Sequence, residues 1–178
     1  PLQMLTGQET PISCQYLQLR AGGDIAAIMG LCKFVLAEDE RKGGTVIDHA
    51  FIARHCTGFE TFQAKADATS WESIERESGL SRADIEEAGR VYVEAERVIG
   101  VYGMGLTQHV HGFENIAMLV NLLLMRGHIG REGAGICPVR GHSNVQGQRT
   151  VGIAEKPELV PLDRLAEAMP EGPHLFPE

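Results

Sequence analysis

Residues 98–152 read VIGVYGMGLTQHVHGFENIAMLVNLLLMRGHIGREGAGICPVRGHSNVQGQRTVG. The first part of this stretch, Val98–Tyr102, is a short apolar and partly β-branched run, which predicts a strand. Glycines at 103 and 105 then predict a tight turn, and the apolar residues of 113–125 predict a helix. Because a strand, a turn and a helix in succession are typical of an α/β domain, this stretch decides the fold class.

The predicted strand is apolar enough to suit a parallel strand that is covered on both faces. Gly103 and Gly105 follow it, at the place where open α/β sheets bind ligands, outside the carboxyl ends of their strands. The pattern Gly-x-Gly without a third glycine that opens a helix does not match the dinucleotide-binding fingerprint. A plain tight turn and a ligand-binding turn therefore stay open as alternatives.

The helix predicted over 113–125 carries apolar residues around most of its circumference, which indicates a buried helix. Its apolar run is interrupted by Glu114 and Asn115 and is shorter than the roughly 20 residues that span a bilayer, so we expect no membrane partner. Gly127 is well placed to end the helix in the left-handed conformation.

The segment 127–147 is rich in glycine and predicts a long loop. Loops of this length within a domain are usually functional or disordered, and the apolar side chains of Ile129 and Ile136 favour function because they can anchor the loop. Backbone amides in glycine loops suit anions such as phosphates, and arginines lie beside them at Arg131, Arg140 and Arg149.

A second strand, turn and helix are predicted near the start of the chain. Tyr16–Leu19 alternates as a strand does, and Asp24, after Gly22 and Gly23, is a good N-cap for a helix with apolar residues at Ile25, Ile28, Met29, Cys32, Val35 and Leu36. We therefore predict a three-layer α/β fold that resembles dinucleotide-binding domains, with a mainly parallel sheet flanked by helices. The two strands would form its ligand-binding edge.

Residues 48–95 predict scaffold helices and contain no evident catalytic group. Asp48 can cap a short helix, 70–78 forms another, and Ser81 begins a stronger one with Asp84 at the capping-box position.

Composition excludes some functions. A formal net charge of -8 over 178 residues argues against a nucleic-acid partner, for which a basic patch is expected. The first residues, PLQMLTGQET, lack a basic region followed by an apolar run, so we expect no signal peptide and a cytoplasmic protein.

Cysteine and histidine spacing predicts no metal site. The four cysteines, Cys14, Cys32, Cys56 and Cys137, contain no Cys-x-x-Cys pair, so we expect reduced thiols rather than an iron–sulfur or zinc site. The histidine candidates have no companion ligands at metal spacing, so bonded or structural histidines are expected; they are His49, His55, His109 and His111.

Two linked motifs resemble those of a known family. GMGLTQH at 103–109 and NLLLMRGHIGREGAGICPVRGHSNVQGQRT at 121–150 are similar to the molybdopterin oxidoreductase family, in its formate-dehydrogenase-like branch. The resemblance implies a molybdenum-dependent enzyme with a bis(molybdopterin guanine dinucleotide) cofactor. The variant GHSNVQGQRTVG resembles a less characterised oxidoreductase subgroup, which leaves the identity of the substrate open.

The resemblance also implies roles for individual residues. Gly22, Gly23 and Asp24 match the step that lines the guanosine end of one cofactor arm. A second set would lie against the pterin: Gly103, Met104, Gly105 and Gln108.

Arg140 matches the arginine that lies beside the metal and orients an anionic substrate. A fixed guanidinium suits this task because it can hold an oxyanion by two hydrogen bonds, although a phosphate-binding arginine is the plainer interpretation. His142 would transfer a proton or contact the cofactor. The metal ligand of the family lies upstream of the matched residues, so we predict none in this chain.

We expect residues 1–140 to be part of an α/β cofactor-binding domain and 141–178 to begin the following domain. The chain would then be an interior piece of a longer enzyme, inactive alone, whose other domains supply the metal ligand and a 4Fe-4S cluster that this chain does not bind. Its partners would be a small-molecule substrate, those other domains and an electron-transfer protein. The alternative is a non-catalytic module that keeps the fold for nucleotide binding or protein interaction.

Overall fold

The computed structural model describes residues 13–142, 144–151 and 153. It divides into two compact units, with the boundary between Val139 and Arg140. In the first unit, five helices precede the first strand among the described residues: α1 (Asp24–Arg41), α2 (His49–His55), α3 (Phe59–Ala68), α4 (Trp71–Ser78) and α5 (Arg82–Glu94). They are followed by β1 (Ile99–Tyr102), α6 (Met104–Thr107), α7 (Gly112–Met125) and β2 (Gly135–Pro138).

Helix α1 lies at the centre of the first unit and packs against α4, α5 and α7. Its apolar positions recur at helical spacing as predicted, and Met29, Cys32 and Val35 are buried in the core. Burial raises the pKa of the Cys32 thiol to about 12, so this cysteine is an unreactive core residue at neutral pH.

The prediction that Asp24 caps α1 is wrong. Gly23 occupies the N-cap position, with no side-chain cap hydrogen bond, and Asp24 is already in the first helical turn. A carboxylate there still stabilises the helix through the partial positive charge of its N-terminus.

The scaffold helices begin where they were predicted, with the expected caps at Asp48 and Ser81 and a further cap at Ser70. Asp48 accepts a hydrogen bond from the Phe51 amide at the start of α2, and Ser70 accepts one from the Ser73 amide at the start of α4. Ser81 caps α5, and the side chain of Asp84 bonds to the Ser81 hydroxyl at 2.6 Å. The sequence signals at these positions are local, which is why they predict helix starts well.

Strands β1 and β2 pair in parallel, with Ile99 opposite Gly135 and Tyr102 opposite Pro138. The predicted strand of residues 98–102 is thus confirmed as β1, whereas β2 lies inside the segment that we predicted to be a loop. The sequence did not predict this strand, because it begins with glycine and ends with proline, and both residues are poor strand formers.

Among the described residues, one face of this sheet is packed and the other is exposed. At Gly100 the backbone lies close to Leu119 and Leu123 of α7. On the opposite face, Ile99 is 55% exposed and Val101 62% exposed, so the expectation that β1 is covered on both faces is wrong for the described part of the chain. The three-layer arrangement stays a prediction, since it needs further elements on that exposed face.

The segment Tyr16–Leu19 is not a strand, contrary to the prediction. Leu17 and Leu19 do alternate inward onto the core, but the described residues provide no neighbouring strand to pair with this segment. The alternation therefore predicted the orientation of the side chains and not the hydrogen bonding.

Helix α7 confirms the apolar helix predicted from Phe113 to Met125, and Gly127 follows it with a φ of +61°, as expected for a left-handed helix end. Phe113, however, is 84% exposed, whereas Leu123 is 1% exposed. Among the described residues, no helix is long and apolar enough to cross a membrane.

Arg126 joins three parts of the first unit at the end of α7. Its guanidinium donates to the carbonyl oxygens of Tyr92 at 2.6 Å, Ala95 at 2.8 Å and Val46 at 3.3 Å. Since carbonyl groups at the end of α5 would otherwise lack partners, this arginine stabilises the junction between helices.

His128 is a buried histidine whose two ring nitrogens have no hydrogen-bond partner among the described residues. Burial, with the nearby charges of Arg126 and Arg131, lowers its pKa from 6.5 to about 4. The ring packs edge-on against Tyr92, with centroids 5.8 Å apart. It is therefore neutral in the folded protein at pH 5, where an unfolded chain would protonate it.

We expect the free energy of unfolding to fall by about 2 kcal/mol between pH 7 and pH 5 because of His128. The folded pKa is depressed, so the unfolded state binds the additional proton. The stability is present above pH 6.5 and is lost as the pH falls towards 4. Urea denaturation at both pH values measures it. His128→Leu should remove this contribution, and the matched change at the exposed His55, His55→Leu, should keep it; equal pH dependence in wild type and His128→Leu would contradict the prediction.

Candidate functional site

The carboxyl ends of β1 and β2 lie at the same edge of the sheet, because the strands are parallel. The Val139 amide donates to the Tyr102 carbonyl at 2.7 Å, which holds the two chain segments together where they leave the sheet. Residues 103–108 start from this edge. It is the position where open α/β sheets bind ligands.

The predicted turn after β1 is a single turn of helix, α6. Gly103 precedes it in an extended conformation, and neither Gly103 nor Gly105 has a positive φ. A Cβ atom at Gly105 would meet nothing within 4 Å. The internal packing of the described residues therefore does not require this glycine, and the space beside its backbone is open to a ligand.

Met104 and Gln108 lie at the two ends of this helical turn. Met104 is 39% exposed, and Gln108 is exposed with no side-chain hydrogen bond to any described residue. A thioether and a free amide next to an open glycine backbone can contact a flat heterocycle that carries donors and acceptors.

The loop that contains Gly22 lies beside the segment of residues 103–109 in space. Gly22 has a φ of +80°, and a Cβ atom there would lie 3.2 Å from Nε2 of His109. His109 directly follows Gln108 in the chain. The structure thus brings together two of the segments that we selected from the sequence.

Gly23 and Asp24 differ from Gly22 in their surroundings. A Cβ atom at Gly23 would lie 2.9 Å from the carbonyl oxygen of Glu77, so this glycine allows α1 and α4 to approach each other. The carboxylate of Asp24 is half-buried and has no hydrogen-bond partner among the described residues. Gly23 is therefore explained by packing, whereas Asp24 is available to a ligand.

Two residues that the sequence analysis did not select hold α6 in place. Nδ2 of Asn115 donates to the Leu106 carbonyl at 3.0 Å, and Asn115 is fully buried. A Cβ atom at Gly112, one turn earlier in α7, would lie 2.4 Å from the Thr107 carbonyl oxygen. The sequence did contain a signal for Asn115, because an asparagine within an apolar helix is usually buried for the sake of a hydrogen bond.

Arg140 and His142 belong to the second unit and are exposed. Nη1 of Arg140 donates to Oε1 of Gln146 at 3.4 Å. Gln146 lies in α8 (Val145–Thr150), which is capped by Asn144. Among the described residues, the other donors of the Arg140 guanidinium have no hydrogen-bond partner, so they are available for an anion.

The histidines and acids of the described residues form no group of three or more that could hold a metal ion. His49 instead bonds to Asp39 at 2.8 Å. Burial alone would raise the pKa of the Asp39 carboxyl, but hydrogen bonds from the Ile47 amide, His49 and the Val46 amide outweigh burial and lower it. This pair therefore stabilises the connection between α1 and α2.

A cavity of about 630 Å³ lies beside this pair, among helices α1, α3, α4 and α5. Both basic and acidic side chains line the cavity: Lys33 and Arg82 lie near several carboxylates. Arg82 is already stacked 4.8 Å from the Trp71 ring centre and is paired with Glu86. Of the residues to which the sequence analysis assigned cofactor or substrate binding, none lines this cavity.

Comparison with known proteins finds no matching family model. The chain is 47% identical to Protein YdeP of Escherichia coli over 171 residues, which is 94% of this chain and 22% of that protein. It is 40% identical to Uncharacterized oxidoreductase Rv2900c of Mycobacterium tuberculosis over 163 residues, 90% of this chain and 21% of that protein.

Formate dehydrogenase H of Escherichia coli is 32% identical over 141 residues, which is 79% of this chain and 19% of that protein. The chain is thus related to oxidoreductases, formate dehydrogenases among them, and it spans about a fifth of the length of the curated relatives that it matches.

Proposed function

We propose that this chain is the cofactor-binding segment of a longer, molybdenum-dependent oxidoreductase that resembles formate dehydrogenase. It would catalyse two-electron redox of a small anionic substrate. The observation that supports this most is the convergence of the Gly22 loop with residues 103–109 beside a parallel sheet edge. Sequence similarity to proteins that are named oxidoreductases supports the same proposal.

The residues at this edge fit a bis(molybdopterin guanine dinucleotide) cofactor. The backbone at Gly105 is open, Met104 offers a polarisable surface, and the amide of Gln108 is free to bond to ring heteroatoms. The half-buried carboxylate of Asp24 can accept hydrogen bonds from a guanine base. When bound, the molybdenum centre would supply the two-electron exchange.

The two selected residues of the second unit, Arg140 and His142, would act on the substrate. Arg140 would hold a carboxylate or similar oxyanion, because its guanidinium presents paired donors in a fixed plane. His142 would hold or move a proton near the substrate, since an imidazole ring can both donate and accept a proton. The substrate site would need the remaining domains of the longer protein, with its metal ligand, a 4Fe-4S cluster and an electron-transfer partner in the cytoplasm.

Elemental analysis of the full-length protein tests this proposal. We expect plasma mass spectrometry to find about one molybdenum per polypeptide after expression in a host that makes the cofactor. Folded protein without molybdenum or tungsten would overturn the enzyme proposal and would favour a binding module that keeps the fold.

A further inference from the structure

His109 lies between the two segments to which we assign cofactor binding, and the sequence analysis gave it no ligand. Its Nε2 atom is 3.2 Å from the position of a Cβ atom on Gly22. Gln108 precedes it in the chain. The imidazole therefore occupies the junction between the Gly22 loop and the segment that carries Met104 and Gln108.

The hydrogen bonding of His109 determines which ring nitrogen carries the proton. Nδ1 accepts a hydrogen bond from the His111 backbone amide at 3.0 Å. A ring nitrogen that accepts a hydrogen bond is unprotonated, so the neutral ring carries its proton on Nε2. This Nε2–H group has no partner among the described residues, and the side chain is partly exposed.

We propose that His109 binds the cofactor by donating a hydrogen bond from Nε2 to an acceptor oxygen of its nucleotide arm. This inference rests on the proposed function and adds a contact to it. The ring is oriented by the His111 amide and by the His111 ring, whose centroid lies 5.8 Å away, and its Nε2 side lies beside the backbone of Gly22. His109 is thus oriented by the protein, while its remaining donor faces the loop assigned to the guanosine end.

The positive φ of Gly22 strengthens this interpretation. An L-residue is disfavoured at φ +80°, and any side chain there would meet the His109 ring. The absence of a side chain at Gly22 therefore leaves room next to Nε2. A donor that is held in place and left unpaired suits an anionic or carbonyl oxygen, and such hydrogen bonds are strongest when the acceptor is charged.

The test compares three variants of the full-length protein. His109→Ala removes the donor, and His109→Gln keeps an N–H donor at similar reach. His111→Ala is the matched control, because it retains the backbone amide that orients His109 and removes only the His111 ring, whose centroid lies 5.8 Å from that of His109. Acid hydrolysis releases guanine nucleotide from the cofactor, so the nucleotide per polypeptide and its rate of loss during incubation in cofactor-free buffer can be measured without an activity assay.

We expect His109→Ala to lose guanine nucleotide about ten times faster than wild type, as removal of a hydrogen bond to a charged group predicts. His109→Gln should recover most of the retention, and His111→Ala should match wild type. Equal retention in wild type and His109→Ala, or equal loss in His109→Ala and His111→Ala, would overturn the inference alone. Wild-type protein without guanine nucleotide and molybdenum would overturn the proposed function together with it.

Discussion

Replacement of Arg140 by glutamine in the full-length enzyme is expected to lower kcat/KM for an anionic substrate by about a thousandfold. Glutamine keeps a polar side chain but removes the charge and the paired donors that hold an oxyanion. The folding cost should be small, because Arg140 is exposed and its side chain bonds to Gln146 at a long 3.4 Å. Steady-state kinetics over a range of substrate concentrations measures the effect.

Two further variants separate charge from geometry at this position. Arg140→Lys keeps the positive charge without the planar fork, so its kcat/KM should lie between those of wild type and Arg140→Gln. Arg54→Gln makes the same change at an exposed arginine on α2 and should leave kcat/KM unchanged. If Arg140→Gln retained wild-type kcat/KM while its molybdenum content was normal, Arg140 would have no role in substrate binding.

Helix starts were the part of the fold that the sequence predicted best. The caps at Asp48, Ser70 and Ser81 depend on contacts within one helical turn, so a short stretch of sequence contains the whole interaction. The cap predicted at Asp24 is wrong, because this helix start also makes contacts with residues that are distant in the sequence. Gly23 is the N-cap residue there, and a Cβ atom on it would lie 2.9 Å from the backbone of Glu77 and Ser78 in α4, a tertiary contact that the local sequence does not show.

Strand pairing and burial could not be predicted to the same extent. β2 begins at a glycine and ends at a proline, and it becomes a strand because β1 lies beside it. Phe113 belongs to an apolar run but faces outward at the first turn of α7, whereas Leu123 of the same run is buried. Hydrophobicity alone does not show which turn of a helix reaches the core.

The candidate site shows the same division between local and long-range information. Met104 and Gln108 could be selected from a motif because they lie within six residues of the chain. The position of Gly22 beside His109 joins residues that are far apart in sequence, and no local pattern predicts that contact. Asn115 was read only as an interruption of an apolar helix, although its buried amide holds α6.

Gly112→Ala is expected to lower the free energy of unfolding by about 3 kcal/mol, at the upper end of the usual cost of overpacking. The added methyl group would lie 2.4 Å from the Thr107 carbonyl oxygen. This oxygen belongs to the backbone of α6, so no side-chain rotation can relieve the clash, and α6 must move away from α7. The movement would also strain the hydrogen bond from Asn115 to the Leu106 carbonyl. Urea denaturation of the wild type and the variant measures the loss.

Gly105→Ala is the matched control, since it adds the same methyl group to the same short helix. Nothing lies within 4 Å of that position, and alanine is favoured over glycine in a helix by up to about 1 kcal/mol. The free energy of unfolding of the cofactor-free protein should therefore stay equal or rise slightly. The same methyl group would occupy the open space that we assign to the cofactor, so molybdenum content should fall. Unchanged stability in Gly112→Ala would show that α6 is not held against α7 as described, and full molybdenum content in Gly105→Ala would show that the cofactor does not approach this glycine.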